Sequence, residues 1–577
     1  MEPGNNKQDL QLENIPDKLL ENLLNRLKNK RIVERIWSGD YTIWKNDPTE
    51  ISNRLGWLDS HEKMACAVAE IESFADEVRG QGYTDALLLG MGGSSLAPEV
   101  FRKVFGVQKG HPDLEILDST DPGAILEKER HLDFKKTLFI VSTKSGSTIE
   151  TIALMKYFYN QVVQALGKDQ AGNNFIAITD PESGLEKTAG ALGFRKVFLN
   201  DPAIGGRYSA LSYFGLVPAA LNGIDLKRLL ERASSMAAKA KAFDPQKENK
   251  NSSALLGAAL GVLGINGRDK ITFLFPEKIK PFADWVEQLI AESTGKEGTG
   301  LLPVWGSPVI PPERYTGDRA FIYYHLDEKD PGDKKVESLI EAGHPVIKIS
   351  LHDLYDLGGE CFRWMMATAI AGWALGINPF NQPNVEAAKV RAREMVETYR
   401  QKGTLPEQKP DLEAEEIKVY SEFQAESLPQ AWNTFLEQAS PGEPGGGGKS
   451  YLAIQAYVKP DPETDRALRE LRNALEARTK MAVTTGYGPR YLHSTGQLHK
   501  GDAGNGLFVQ ITGASKQDLP IPDKPGSNDS SLTFGVLKNA QAMGDYLALK
   551  EKGRPVIRFH LEDDVASAIK RLTETVS

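Results

Sequence analysis

Leu87-Leu88-Leu89-Gly90-Met91-Gly92-Gly93-Ser94-Ser95 and, further along, Leu138-Phe139-Ile140-Val141-Ser142-Thr143-Lys144-Ser145-Gly146-Ser147-Thr148 share one plan. Each is a short apolar run, then a turn rich in glycine and hydroxyl residues, then a helical pattern. A continuous apolar run bounded by glycine reads as a parallel strand buried on both faces. The turn that follows aims backbone N–H groups at one spot, where the positive end of the helix dipole adds to them. Two such turns, both dense in hydroxyls, predict a pocket for a phosphate carried on a polyol.

The alternation extends outward from these turns. Residues 1–60 read as an amphipathic helical segment with a loop near 44–48. Strands at 85–89, 114–117, 137–141, 175–179 and 197–199, with helices at 97–105, 124–130 and 149–166, predict one α/β unit over 61–222. Strands at 271–275, 320–325 and 346–351, helices at 282–292 and 335–341, and a long apolar helix from 359 predict a second over 223–401. Strands separated by helices imply parallel sheets covered on both faces. The composition turns polar at 402 and glycine-rich before Ser450, so 402–450 reads as a linker region. A strand at 451–457, a helix at 462–478 and a strand at 481–485 then open a smaller α/β unit over 451–577.

Bulk properties narrow the function. With 69 basic and 78 acidic residues the formal net charge is −9, which argues against nucleic acid as a partner. The two cysteines, Cys66 and Cys361, have no metal-site spacing and fit a reducing compartment. The polar start of the chain lacks the apolar core of a secretory leader, so a cytoplasmic location is expected. The apolar stretch at 362–377 is interrupted by Arg363 and falls short of the ~20 residues a membrane span needs.

Several motifs carry chemistry. Thr143, Ser145, Ser147 and Thr148 crowd four hydroxyls around Lys144, where a capping turn needs one. The first glycine turn lacks the spacing and acidic ribose partner of a dinucleotide site. A P-loop reading of Gly445–Ser450 fails, because Glu443 stands where the first glycine is required and no strand precedes it. Gly205-Gly206-Arg207-Tyr208-Ser209 offers a permanently charged guanidinium for a developing oxyanion. Gln288 and Glu292, four apart, share one helix face. His493 and His499 fall within or just after the turn Gly488-Pro489-Arg490-Tyr491-Leu492-His493-Ser494-Thr495-Gly496.

Taken in order, these segments resemble the glucose-6-phosphate isomerase family. Gly92-Gly93-Ser94 is similar to its sugar-binding loop, and Thr143 through Thr151 to its phosphate loop. Gly206-Arg207-Tyr208-Ser209 is similar to its arginine motif. Gln288 through Lys296 resembles the segment carrying its catalytic base, and Asn378 through Lys389, including Gln382, the segment carrying its catalytic lysine. One departure stands out. The family's histidine lies between the glutamate and lysine segments, where this chain has His325 without the surrounding motif. The better match, His493, lies after the lysine, an order similar to the isomerase half of bacterial transaldolase–isomerase fusions.

The resemblance implies two sugar-isomerase-type (SIS) doubly wound domains plus the C-terminal α/β unit. It implies interconversion of glucose 6-phosphate and fructose 6-phosphate through a cis-enediol, in glycolysis and gluconeogenesis. Glu292 would be the base, Arg207 the stabiliser of the enediolate, and His493 and Lys389 the ring-opening groups, with His499 and His325 as rival histidines. Gly93, Ser94, Thr143, Lys144, Ser145, Ser147, Thr148, Gln288 and Gln382 would hold the sugar phosphate. Neither cofactor nor metal is required, and a homodimer is implied. Two rival readings use the same loops: a non-catalytic sugar-phosphate sensor, and an isomerase of a related phosphosugar such as mannose 6-phosphate.

Overall fold

The computed structural model describes residues 10–244, 251–326, 332–406, 408–440, 450–562 and 564–576. The glycine-rich run at 441–449, with most of the P-loop look-alike, lies outside the described residues.

Three larger sheets, beside the two-stranded pair Pro520–Ile521 and Leu532–Thr533, organise the described residues. The first is wholly parallel, in the spatial order Asp113–Leu117, Asp85–Gly90, Thr137–Ser142, Phe175–Thr179, Lys196–Leu199. Its two middle apolar strands are neighbours, and Gly90 pairs with Ser142, so both hydroxyl-rich turns leave the same edge side by side. The chain runs outward to opposite sides from this pair of strands, the topology at which parallel α/β sheets open a crevice beyond their carboxyl ends. Leu87, Leu88 and Leu89 are fully buried, each contributing about 1.5–3 kcal/mol of apolar burial.

The second sheet runs Leu10–Glu13, Val346–Ser350, Arg319–His325, Lys270–Leu274, Leu302–Val304. All of its pairs are parallel except the first, where Leu10 lies opposite Ile349 in antiparallel register. The leading segment is therefore not helical throughout: four residues form an edge strand before the helix Asp17–Asn29 begins.

The C-terminal unit holds a six-stranded sheet. Val556–Leu561, Gly506–Gly513, Tyr451–Tyr457 and Ala482–Tyr487 are parallel, and the antiparallel hairpin Leu412–Ala414 and Ile417–Tyr420 borders them. The stretch read as a linker thus supplies this hairpin and the helix Leu428–Leu436, whose Trp432 and Phe435 are buried in the same core as Phe559.

The units do not hang apart. One core runs continuously from the helix-covered face of the first sheet into the second. The other face of the first sheet is covered by the helix Ile149–Leu166, and Leu519, Ile521, Leu532, Phe534 and Leu537 from the far end of the chain join the same core. The C-terminal unit is thereby clamped against the crevice. Among the described residues no helix is long and apolar enough to cross a membrane.

Candidate active site

The Gly92–Ser94 turn lies against the Gly206–Tyr208 turn so closely that a Cβ on Gly93 would overlap the Gly206 carbonyl. Ser209 Oγ donates to Gly93 O at 3.2 Å, and Ser142 Oγ donates to Ser94 O at 3.1 Å, tying the three turns together. Gly92, at φ +54°, faces the histidine turn: a Cβ there would lie 2.8 Å from His493 O. The glycines that look like ligands in the sequence therefore act here as points of backbone contact.

Arg207 emerges from this junction only 3% exposed. Its Nε donates to Ser293 Oγ at 2.8 Å, Nη1 to Gln382 Oε1 at 3.0 Å, and Nη2 to the carbonyls of Pro379 and Asn381 at 2.8 and 3.0 Å. Nη1 also lies 3.2 Å from Glu292 Oε1. A guanidinium has five N–H groups in a rigid fork, and this web holds them in one orientation beside the carboxylate. Gln288, one turn before Glu292 on the helix Phe282–Thr294, donates from Nε2 to Glu292 Oε2 at 3.1 Å and to His493 O at 2.7 Å. Lys296 is buried behind them, held well below its usual range by burial and by the charge of Arg207.

His493 belongs to the C-terminal unit, in the short helical turn Arg490–His493 after the strand Ala482–Tyr487. Its Nε2 lies 3.1 Å from Oε1 of Glu150, in the first turn of the helix Ile149–Leu166. Gln541 Nε2 donates to the same oxygen at 2.6 Å, and Thr120 Oγ1 donates to Gln541 Oε1 at 2.9 Å. Burial alone would raise the Glu150 carboxyl. The charge and hydrogen bond of His493, with Lys389 farther off, outweigh burial and keep it below the usual carboxylate range. The rival histidines sit elsewhere. His499 is 2% exposed, 3.3 Å from Gln455, and burial drives its proton affinity well down. His325 ends a strand of the second sheet, 4.0 Å from Asp333.

A cavity of about 730 Å³ opens beside His493, lined by Ser145, Ser147, Thr148, Lys389, Lys500 and Gln541 among others. Thr148 is the N-cap of an 18-residue helix yet its hydroxyl accepts from none of the first-turn N–H groups. The Thr148 hydroxyl pairs with Thr143 at 2.9 Å, and that of Ser145 with Ser147 at 2.9 Å. Lys144 departs from expectation. It pairs with Asp180 and donates to Pro202 O at 2.8 Å, fastening the loop to the neighbouring turns, and it does not line the cavity. Nor do Thr143, Gly93, Ser94, Gln288, Gln382, Arg207 or Glu292. The structure brings the expected residues together as two groups, Arg207–Glu292–Gln288–Gln382 and the loop–Lys389–His493 cavity, joined through the Gln288–His493 hydrogen bond. Glu150, Gln541 and Lys500 were not singled out in the sequence. Glu150 stood in the phosphate-loop motif without a role, and nothing local marks the other two.

A family model described as phosphoglucose isomerase matches residues 58–300. The glucose-6-phosphate isomerase of Carboxydothermus hydrogenoformans is 29% identical over 381 residues, covering 56% of this chain and 80% of that protein. That of Rubrobacter xylanophilus is 28% identical over 363 residues, covering 55% and 83%. Among solved structures, a hypothetical protein of Thermus thermophilus superposes with a TM-score of 0.57 at 26% identity, over 67% of this chain and 99% of that one. A glucose-6-phosphate isomerase of Chlamydia trachomatis superposes at 0.56 with 19% identity, a likeness of fold, over 67% and 88%.

Proposed function

We propose that the chain is a phosphoglucose isomerase, the family whose model matches residues 58–300, and that it interconverts glucose 6-phosphate and fructose 6-phosphate through a cis-enediol. The observation that carries this reading is the pairing of one carboxylate, Glu292, with the immobilised Arg207 at 3.2 Å, on a helix whose Gln288 also holds the histidine turn. Moving hydrogen between C1 and C2 needs one base on one face of the sugar, which Glu292 supplies by taking the proton from one carbon and returning it to the other. Negative charge grows on the enediolate oxygens as the proton leaves, and Arg207, its N–H groups already donated to the protein, is assigned to offset it as a fixed positive charge that need not reorganise. The cyclic substrate must open first, which requires a proton to reach the ring oxygen and another to leave the anomeric hydroxyl. His493, backed by Glu150, and Lys389 are assigned that step. Ser145, Ser147 and Thr148, with the N–H groups that start the helix, are assigned the phosphate. Lys144 is assigned to holding the loop.

The substrate is a free sugar phosphate, and this reading includes a cytoplasmic location with no nucleic-acid or membrane partner. The homodimer implied by the resemblance belongs to the same reading, although His493 and Glu150 already meet within one chain. Glu292, Arg207 and Lys389 together favour catalysis over a sensor, which needs none of the three.

The test is a coupled assay of fructose 6-phosphate conversion on the wild type and Glu292→Gln in parallel. Loss of the base should lower kcat by about 10³-fold while inhibition by 5-phosphoarabinonate, an acyclic mimic of the enediolate, persists. Near-normal turnover in the variant would refute the assigned base, and an inactive wild type would refute the activity.

A further inference from the structure

Three residues before His493, Arg490 reaches back into a crevice that the scheme above does not use. Its Nη2 lies 2.5 Å from Glu99 Oε2 and 3.4 Å from Asp284 Oδ2, and its Nη1 lies 3.3 Å from Asp118 Oδ2. These carboxylates come from three elements. Glu99 is on the helix Leu96–Phe105, Asp118 follows the strand Asp113–Leu117, and Asp284 begins the helix Phe282–Thr294 that also carries Gln288 and Glu292. The side chains are shielded, Arg490 24% exposed and the acids between 12% and 20%. Lys103 joins Glu99 at 2.6 Å, and Ser95 Oγ donates to Asp118 Oδ2 at 3.1 Å. Lys103 also lends its charge to the cluster, but among the described residues the Arg490 guanidinium is the group within 3.4 Å of all three acids. It works as a peg from the C-terminal unit into a socket built by the other two.

The socket and the site share a frame. Ser95 adjoins Ser94, Asp284 is one helical turn before Gln288, and the turn pegged by Arg490 is the one whose His493 carbonyl accepts from Gln288 at 2.7 Å. Moving Arg490 moves the turn, and with it the imidazole that must stay 3.1 Å from Glu150.

We propose that Arg490 is a positioning residue for His493, fixing the histidine for ring opening while leaving proton transfer at Glu292 untouched. The proposal rests on the isomerase reading above. Its consequence is a split between steps. A cyclic substrate needs the histidine placed to within a fraction of an ångström, and a displacement of about 1 Å costs roughly 10²-fold. An acyclic ligand has no ring to open.

The experiment measures kcat on fructose 6-phosphate and the inhibition constant of acyclic 5-phosphoarabinonate for the wild type, Arg490→Ala, Arg490→Lys, His493→Ala and the double variant Arg490→Ala/His493→Ala. We expect Arg490→Ala to lose about 10²-fold in kcat with the inhibition constant held within about threefold, and Arg490→Lys to recover part of the loss. In the His493→Ala background, removing Arg490 should add nothing, because residues acting as one unit are not additive. Asp118→Asn carries the same test with the arginine in place if Arg490→Ala does not fold. Parallel loss of turnover and inhibitor binding would overturn the proposal, as would unchanged turnover or a full additive loss in the double variant. A wild type without isomerase activity would refute the isomerase reading itself, and this proposal with it.

Discussion

Glu150 shows what a single carboxylate can organise. Its Oε1 faces His493 and accepts from Gln541, so the imidazole is held by a group that is itself held. An ionised carboxylate only accepts hydrogen bonds, so the His493 nitrogen facing it carries the proton and the other nitrogen is left for the substrate. Glu150→Gln keeps the shape and removes the charge. It also offers His493 an amide that can turn either face. We expect kcat on fructose 6-phosphate to fall by about 10²-fold with little change in the affinity of acyclic 5-phosphoarabinonate, read from steady-state inhibition. Arg207, Glu292 and Lys389 could be picked out of the sequence as candidates because each sits in a contiguous motif; the structure puts Arg207 Nη1 3.2 Å from Glu292 Oε1 and Lys389 on the cavity wall. The role of Glu150 was not legible there, since its partners lie 343 and 391 residues away and only the folded chain introduces them. The pairing of Lys144 was hidden in the same way: a lysine among hydroxyls reads as a phosphate ligand, and Asp180, its partner in the fold, is distant in sequence.

At the scale of elements, the helix Phe282–Thr294 carries Asp284, Glu287, Gln288 and Glu292 within three turns. Its early acids are in an unfavourable place for charge. Burial first, then the neighbouring charge of Asp284, pushes the Glu287 carboxyl up to about 8, while Trp305 Nε1 donates to it at 2.8 Å. A carboxyl raised from the ordinary 4.5 to about 8 keeps in the folded state a proton that the unfolded chain releases. Its contribution to stability is complete below about pH 4.5 and is lost as pH rises toward 8. Glu287→Gln preserves an oxygen for Trp305 and removes the titration. Thermal midpoints measured between pH 5 and pH 8 should fall less steeply with pH in the variant. It should be more stable than the wild type at pH 8 by on the order of 1 kcal/mol, a value discounted for partial exposure. The helix itself was plain in the sequence, as were the strands of the first sheet and three of the five in the second, because buried apolar runs leave little choice; Leu302–Val304, only three residues long, went unread. The edge strand Leu10–Glu13 and the hairpin at 412–420 were hidden, being strands of only three or four residues set by their partners. Gly506–Gly513 and Val556–Leu561 went unread for another reason: they complete the C-terminal sheet from beyond the helix–strand repeat that opened it.

For the whole molecule, the consequence of the fold is that the histidine travels with the chain. The C-terminal unit is bound to the first by a shared apolar core and by the buried Lys538–Asp121 pair at 2.9 Å, and to the second by the close packing of the helix Val385–Lys402 against Phe534–Glu551. Its His493 turn then enters between the Gly92 turn and the Glu292 helix. Every residue assigned a role is supplied by one polypeptide, whatever association the chain undergoes through other surfaces. Turnover should therefore be proportional to chain concentration. Diluting the protein from micromolar to low nanomolar, with sedimentation or single-particle mass measurement following any dissociation, should leave the rate per chain constant within about 20%, on the ground that binding alone makes a quantity concentration-dependent. A rate per chain that declines in step with dissociation would show that a neighbouring copy supplies part of the site, and the assignment of His493 in its own chain would fall with it.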